Sequence, residues 1–303
     1  MDLSVVVPTL DGRAHLGDTL DALAAHAPAA EVVVVNGPST DGTGGLVREH
    51  PAPDRLVEVA ERNPTVARNA GIAASTGDAV AFVGQGSAVE EGWAAGVSDA
   101  LSDGAAAVTG PVHRAVGGGL TTDTPERTTT AGREVTYFDD GNVAVTREAL
   151  DALDGFDEYL VLDGGRDLAH RLAATDRVVG WAGDVAVLRS DAATGGDRLA
   201  DADGDDWGLR YRCRTYWQVK NYGLRPAPAL RTLRRMVGDG ARSLGDVLAG
   251  DGRLSTWFGS GRDVVTNAAR GTVAGLTARA QDRSPARNPH GVSARDDRVV
   301  PTQ

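Results

Sequence analysis

The chain of 303 residues is most easily placed by what it has little of. It carries one cysteine, Cys213, so no disulfide can close within it, and this suits a reducing compartment. It carries one lysine, Lys220, among 31 basic residues, and its net charge is −11. Acid excess on a lysine-poor chain argues against nucleic acid as the main partner, and it fits either a protein kept soluble in high salt or the ordinary acidity of a chain from a GC-rich genome. No run approaches the roughly 18 consecutive apolar residues of a membrane-spanning helix, and the N-terminus enters a strand without a signal-like segment. The expected state is soluble or peripheral. Thirteen prolines and 39 glycines fall short of the share that marks a disordered chain. No Gly-x-Gly-x-x-Gly follows the first apolar run and no Gly-x-x-x-x-Gly-Lys occurs, which argues against a dinucleotide fold and a P-loop.

What is present alternates. Leu3 to Val7 is a β-branched run ending at Pro8-Thr9, which reads as a buried parallel strand. Asp11 to Ala27 places Leu16, Leu20, Leu23 and Ala24 at helical spacing. Glu31 to Val35 is a second strand, and Ser39 or Asp41 can cap a helix over about Thr43 to Glu49. Leu56 to Ala60 reads as a strand, Thr65 to Ser75 as a helix and Ala79 to Val83 as a strand. Such alternation predicts an α/β fold with a doubly wound, mostly parallel sheet. Ligands of such sheets bind beyond the carboxyl ends of the strands, which makes Thr9, Asn36 and Gly84-Gln85-Gly86 neighbours in one crevice.

Several segments in this order resemble family 2 glycosyltransferases of the GT-A fold. They are Ser4 to Leu10, Val34-Val35-Asn36 through Ser39-Thr40-Asp41-Gly42-Thr43, and Ala67-Arg68-Asn69-Ala70-Gly71-Ile72. Further along come Gly141 to Leu150 with the turn Gly155-Phe156-Asp157-Glu158, and Leu162 to Leu172. The resemblance covers about residues 3 to 190. It implies an inverting displacement, in which an acceptor hydroxyl attacks the anomeric carbon of a nucleotide sugar, most readily a UDP-sugar. By the same resemblance Thr9, Asn36, Asp41, Arg68 and Gln85 would bind the donor.

Two family signatures are eroded. The Asp-x-Asp that would hold Mg2+ or Mn2+ reads Gly84-Gln85-Gly86, and Gly164-Gly165 stand where the family carries Glu-Asp. Three readings remain open. Asp163, Asp167 and the pair Asp139-Asp140 could supply the base that takes the acceptor's proton or bind a metal through water. Arg68, Arg166 and a helix N-terminus could stabilise the diphosphate without metal. Alternatively, the chain is a non-catalytic sugar-nucleotide-binding or assembly subunit.

Beyond residue 190 the composition changes, so the expected domains are 1–190 for the GT-A domain, 191–282 for a helical extension and 283–303 for a disordered tail. Ala192 to Asp206 reads as an acidic loop, and Trp207 to Tyr222 alternates aromatics with Arg. From Leu230 to Ala280 the pattern is helical, broken by Gly238, Gly240, Gly245, Gly250 and Gly252. Trp257, Val264, Val265, Ala268 and Leu276 group near one helix face. An Arg-flanked amphipathic helix of this kind either lies in a bilayer interface or packs on the catalytic domain. The composition and motifs look most like haloarchaeal enzymes that extend dolichyl-phosphate-linked glycans for N-glycosylation of the surface-layer glycoprotein. That resemblance implies a peripheral protein at the cytoplasmic face of the cell membrane, with a lipid-linked glycan and other glycosylation enzymes as partners and no nucleic acid.

Overall fold

A computed structural model describes residues 1–114, 124–190, 207–226, 230, 232–239, 254–281 and 288–294. The chain forms two compact units: Met1–Thr128 with Glu134–Ala202 and His290–Gln303, and Thr129–Arg133 with Asp203–Pro289.

The first unit is built on a seven-stranded sheet. Strands β1 (Leu3–Thr9), β2 (Glu31–Asn36), β3 (Arg55–Glu58) and β4 (Ala79–Val83) are mutually parallel, with β4 and β2 flanking β1. Val5 to Val7 and Val32 to Val35 are almost completely buried, because helices cover both faces and leave no side for polar alternation. Helices α1 (Arg13–His26), α2 (Thr43–Glu49) and α3 (Pro64–Ala74) lie close to their expected bounds. Asn63 caps α3 by accepting from Thr65 N at 3.0 Å, with Pro64 in the first turn. A Cβ at Gly71 would collide with the Val6 side chain, so this glycine lets α3 lie directly on β1.

The remaining strands are β5 (Ser87–Val89), β6 (Ala107–Thr109), β7 (Val112–Arg114), β8 (Arg127–Thr130), β9 (Arg133–Thr136), β10 (Asn142–Thr146), β11 (Val179–Trp181) and β12 (Val187–Arg189). The large sheet has the order β11-β6-β10-β4-β1-β2-β3, and β10 runs antiparallel to both its neighbours. Strand β12 lies between β5 and β7 in a three-stranded sheet, and β8 pairs with β9. Helices α4 (Trp93–Ser102), α5 (Arg147–Leu153) and α6 (Gly164–Ala174) complete the unit. This is the expected mixed α/β architecture with a mostly parallel central sheet.

Within the stretch expected to be a disordered tail, residues 290–294 are held on this unit. Ser293 donates from N and Oγ to the Asp154 carboxylate at 2.9 and 2.7 Å, and Val292 N donates to Asp154 O at 3.0 Å. Periodicity could not show this, because the partner lies 139 residues away.

The second unit pairs α7 (Trp207–Tyr222) with α8 (Leu254–Gln281), and residues 232–239 are helical. Small residues on α8 face α7: Ala268 and Ala278 are buried, and a Cβ on Gly275 would lie 2.6 Å from Tyr216 O. Val265, Val273 and Leu276 are exposed outside that stripe. The single apolar face read from the sequence is therefore divided. Ala268 belongs to the buried small-residue stripe, while Val265 and Leu276 lie exposed outside it, because close backbone packing selects for size rather than hydrophobicity. The Trp257 side chain, the loop over 192–206 and the glycine-broken stretch over 240–253 lie outside the described residues.

Candidate active site

The register places Thr9 beside Asn36, and β4 ends next to them, so the carboxyl ends of three parallel strands form the floor of one crevice. Gln85, just past β4, is turned onto β1. Its Oε1 accepts from Thr9 Oγ1 at 2.5 Å and from Leu10 N at 3.0 Å, and its Nε2 donates to Leu10 O at 3.2 Å. A Cβ at Gly12 would collide with both the Gln85 and Thr9 oxygens, so a glycine is required where the β1–α1 loop passes over this knot.

The loops after β1 and β2 are tied to each other. Asn36, buried, accepts from Ser39 Oγ at 2.7 Å. Asp41 accepts from Arg13 N at 3.0 Å, from Thr43 N at 3.0 Å and from Thr43 Oγ1 at 2.5 Å. Burial works to raise the pKa of Asp41, but these hydrogen bonds outweigh it and hold the carboxyl below its usual range. Asp11, in the left-handed region at φ 47, accepts from Thr40 N at 2.8 Å and lies 3.6 Å from Arg62.

The Ala-Arg-Asn-x-Gly-Ile helix owes its residue types to contacts. Asn69 is fully buried and clamps the turn at 155–158, donating to Phe156 O at 2.9 Å and to Glu158 Oε1 at 2.8 Å, and accepting from Phe156 N at 2.8 Å. Arg68 lies over the Phe156 ring at 5.4 Å, with Nη1 3.5 Å from Asp140 Oδ2. Its Nε is buried with no hydrogen-bond partner among the described residues.

The acidic candidates separate clearly. Asp140 accepts from Gly165 N at 3.2 Å, at the start of α6 beside Arg68. Asp163 enters α6 in the left-handed conformation at φ 63, and its charge acts on Arg166 and Tyr137. Asp167 is fully buried and paired with Arg171 at 2.8 Å. Arg171 in turn donates to Leu153 O and Gly155 O, both at 2.8 Å, which joins α6 to the end of α5. Thus the structure brings Arg68 and Asp140 together, and separately Thr9 with Gln85 and Asn36 with the Asp41 loop. His170, fully packed, has Nε2 3.0 Å from Tyr137 Oη.

Sequence reasoning passed over Arg189. It holds Asp139 through two bonds, Nη1 to Oδ2 at 3.0 Å and Nη2 to Oδ1 at 2.6 Å. A lone arginine at the end of a short strand carries no sequence signal, since β12 reaches Asp139 only by tertiary pairing. Burial would raise the Asp139 pKa, yet Arg189, the Gly141 N–H and the charge of Arg68 together hold it low. A folded pKa below the unfolded value contributes stability above the unfolded value and loses it as pH falls through the folded one. The Tm gap between wild type and Asp139→Asn should therefore narrow as pH drops below about 4. A gap that stays constant from pH 7 to pH 3 would refute this assignment.

The residues present do not fit a divalent metal at the strand end. Gly84 and Gly86 bring no side chain, the Gln85 amide is bound to β1, and among the described residues no group of three His, Cys, Asp or Glu could hold a metal ion.

Residues 4–157 match the model of Glycosyl transferase family 2, about half of the chain. No curated protein sequence matches. Among solved structures, the Staphylococcus aureus TarS fragment 1–349 with UDP-GlcNAc superposes with a TM-score of 0.63 at 18% identity, over 95% of this chain and 90% of that one. The mannosyltransferase PcManGT of Pyrobaculum calidifontis, with GDP-Man and Mn2+, gives 0.54 at 19% identity over 93% and 87%. The fold is that of the GT-A glycosyltransferases. The chain belongs to glycosyl transferase family 2 and is a glycosyltransferase.

Proposed function

We propose that this glycosyltransferase moves a sugar from a nucleoside diphosphate, a UDP-sugar before a GDP-sugar, onto a lipid-linked glycan at the membrane face. The observation that carries the reading is the crevice itself. A polar floor of Thr9, Gln85 and Asn36 closes the strand ends, and the Asp140 carboxylate and the Arg68 guanidinium stand together in the same unit. The structural neighbours bound to UDP-GlcNAc and GDP-Man support a nucleotide-sugar donor. In the reaction, the acceptor oxygen bonds to the anomeric carbon as the bond to the diphosphate breaks, with inversion.

Features of the second unit support a lipid-linked acceptor and a peripheral place on the membrane. Between Trp207 and Gln281 thirteen Arg and Lys stand against four Asp and no Glu, in a chain of net charge −11. Leu224, Leu233, Val237, Val265 and Val273 are all more than half exposed. A cavity of about 240 Å³ lined by Val219, Leu224, Leu233 and Met236 opens beside Arg225. Basic charge with exposed aliphatic side chains suits an anionic bilayer surface. The acid-rich, lysine-poor composition fits a high-salt interior, and dolichyl-phosphate-linked N-glycosylation of a surface-layer glycoprotein is the pathway proposed.

The test is transfer from radiolabelled UDP- and GDP-sugars to a membrane lipid extract in high salt, with Mn2+ and with EDTA. Label in the lipid phase is expected, and it should persist in EDTA because Gly84 and Gly86 supply no ligand. Label in water-soluble acceptors alone would overturn the lipid acceptor. Donor binding with no transfer anywhere would instead favour an assembly subunit.

A further inference from the structure

We infer that Asp140 occupies the volume that an acidic side chain at position 165 would fill, and that its carboxylate takes the proton of the acceptor hydroxyl. The inference rests on the transferase reading above.

The observation is steric. A Cβ built on Gly165 would fall on Asp140 Oδ1, 2.5 Å from Asp140 Cγ and 3.0 Å from Oδ2. In this conformation the Asp140 carboxylate fills the place of a side chain at 165, so a larger residue there would have to displace it. Position 165 is the second residue of α6, while Asp140 reaches it from just before β10, 25 residues earlier in the chain. The fold thus brings a carboxylate from before β10 to the place where a side chain at the start of α6 would stand.

The carboxylate is held as a proton acceptor should be. Its Oδ2 takes the Gly165 N–H at 3.2 Å, at the positive end of α6, and faces Arg68 Nη1 at 3.5 Å. Arg68 is itself fixed by the Phe156 ring and by a long bond from Nη2 to Asp140 O at 3.4 Å, so it acts as a positioning residue. The Asp140 side chain stays 35% exposed. The competing acids are engaged differently. Asp167 is 0% exposed and spent on Arg171, and Asp139 is gripped through both oxygens by Arg189.

In the step assigned to it, the acceptor oxygen forms its bond to the anomeric carbon and releases its proton to the Asp140 carboxylate. The anomeric carbon–oxygen bond breaks, and its electron pair leaves on the nucleoside diphosphate. No oxidant or reductant is needed.

The test uses the full chain and the transfer assay, with UDP-sugar binding followed by calorimetry. Asp140→Asn keeps the shape and the acceptance of Gly165 N–H, so it should bind donor within about threefold of wild type while kcat falls about 10²–10⁴-fold. The acidic limb of the kcat profile against pH should vanish in the residual activity. Asp140→Ala combined with Gly165→Asp should recover at least about tenfold over Asp140→Ala, since general-base effects of this size depend on a carboxylate being present. A merely structural Asp140 would not show that rescue. An active wild type with an indifferent Asp140→Asn, or a folded double variant no better than Asp140→Ala, overturns this inference alone. A wild type that binds donor and transfers nothing overturns the transferase reading with it.

Discussion

Asp167→Ala is expected to destabilise the protein by about 3–5 kcal/mol, the cost of leaving a buried charge without its partner. Asp167 and Arg171 sit one turn apart on α6 with side chains 0% and 1% exposed. Removing the carboxylate strands a guanidinium that still binds Leu153 O and Gly155 O but has lost its counter-charge. The damage should spread to the turn after α5, and through Gly155 to the Asn69 clamp, where a Cβ at 155 would already lie 2.6 Å from Asn69 Oδ1. Urea unfolding reads the effect directly. A midpoint within error of wild type would show that the pair contributes nothing. The same geometry predicts that a change at Asp167 harms stability first, so that activity per folded molecule falls much less than it does for Asp140→Asn.

A loss of about 2–5 kcal/mol is expected for Asn142→Ala, at about 1–3 kcal/mol for each buried polar group left unpaired. Asn142 is fully buried at the start of β10. Its Oδ1 accepts from Trp93 Nε1 at 3.0 Å, and its Nδ2 donates to Val185 O at 2.8 Å and Pro111 O at 3.3 Å. One amide thus ties α4, the loop after β6 and the approach to β12 to the central sheet. Removing it strands the Trp93 N–H and at least one carbonyl in a dry core. Asn142→Asp can keep acceptance from Trp93 but not donation to the carbonyls, and should be at least as damaging. Unfolding midpoints indistinguishable among wild type and both variants would refute the network.

The two replacements act on the frame around the crevice, whereas the pH test of Asp139 and the exchange between 140 and 165 act on its charged wall. The frame was legible in advance where it is periodic. Val5 to Val7, Val32 to Val35 and Ala79 to Val83 announce buried parallel strands because neither face of the sheet meets water, and Leu16, Leu20 and Leu23 announce the helix that covers them. The ordered motifs also pointed to the family, and their residue types have local causes: Gly71 for the close approach to Val6, and Asn69 for the turn at 155–158.

The charged wall was only half legible. Asp139, Asp140, Asp163 and Asp167 stood together as candidates, because a sequence shows which acids exist and not which are buried. Burial and pairing separate them: Asp167 belongs to Arg171, and Asp140 to the place above Gly165. Arg189 had no signal at all, since its role depends on β12 lying close to residues 50 positions away. On α8, hydrophobicity grouped Ala268 with Val265, but packing buries Ala268 and leaves Val265 exposed at the rim, because a glycine and alanine stripe sets the contact with α7.

By itself, then, the sequence determined the class of fold, the order of its first four strands and the three helices between them, and the absence of side chains at Gly84, Gly86 and Gly165. These follow from local steric and hydrophobic patterns, which do not need partners to be read. Only the tertiary structure decided what replaced them: Gln85 turned onto β1, Asp139 closed by Arg189, and Asp140 laid over Gly165. The reason is that charge, burial and excluded volume are properties of pairs of atoms brought together from distant parts of the chain.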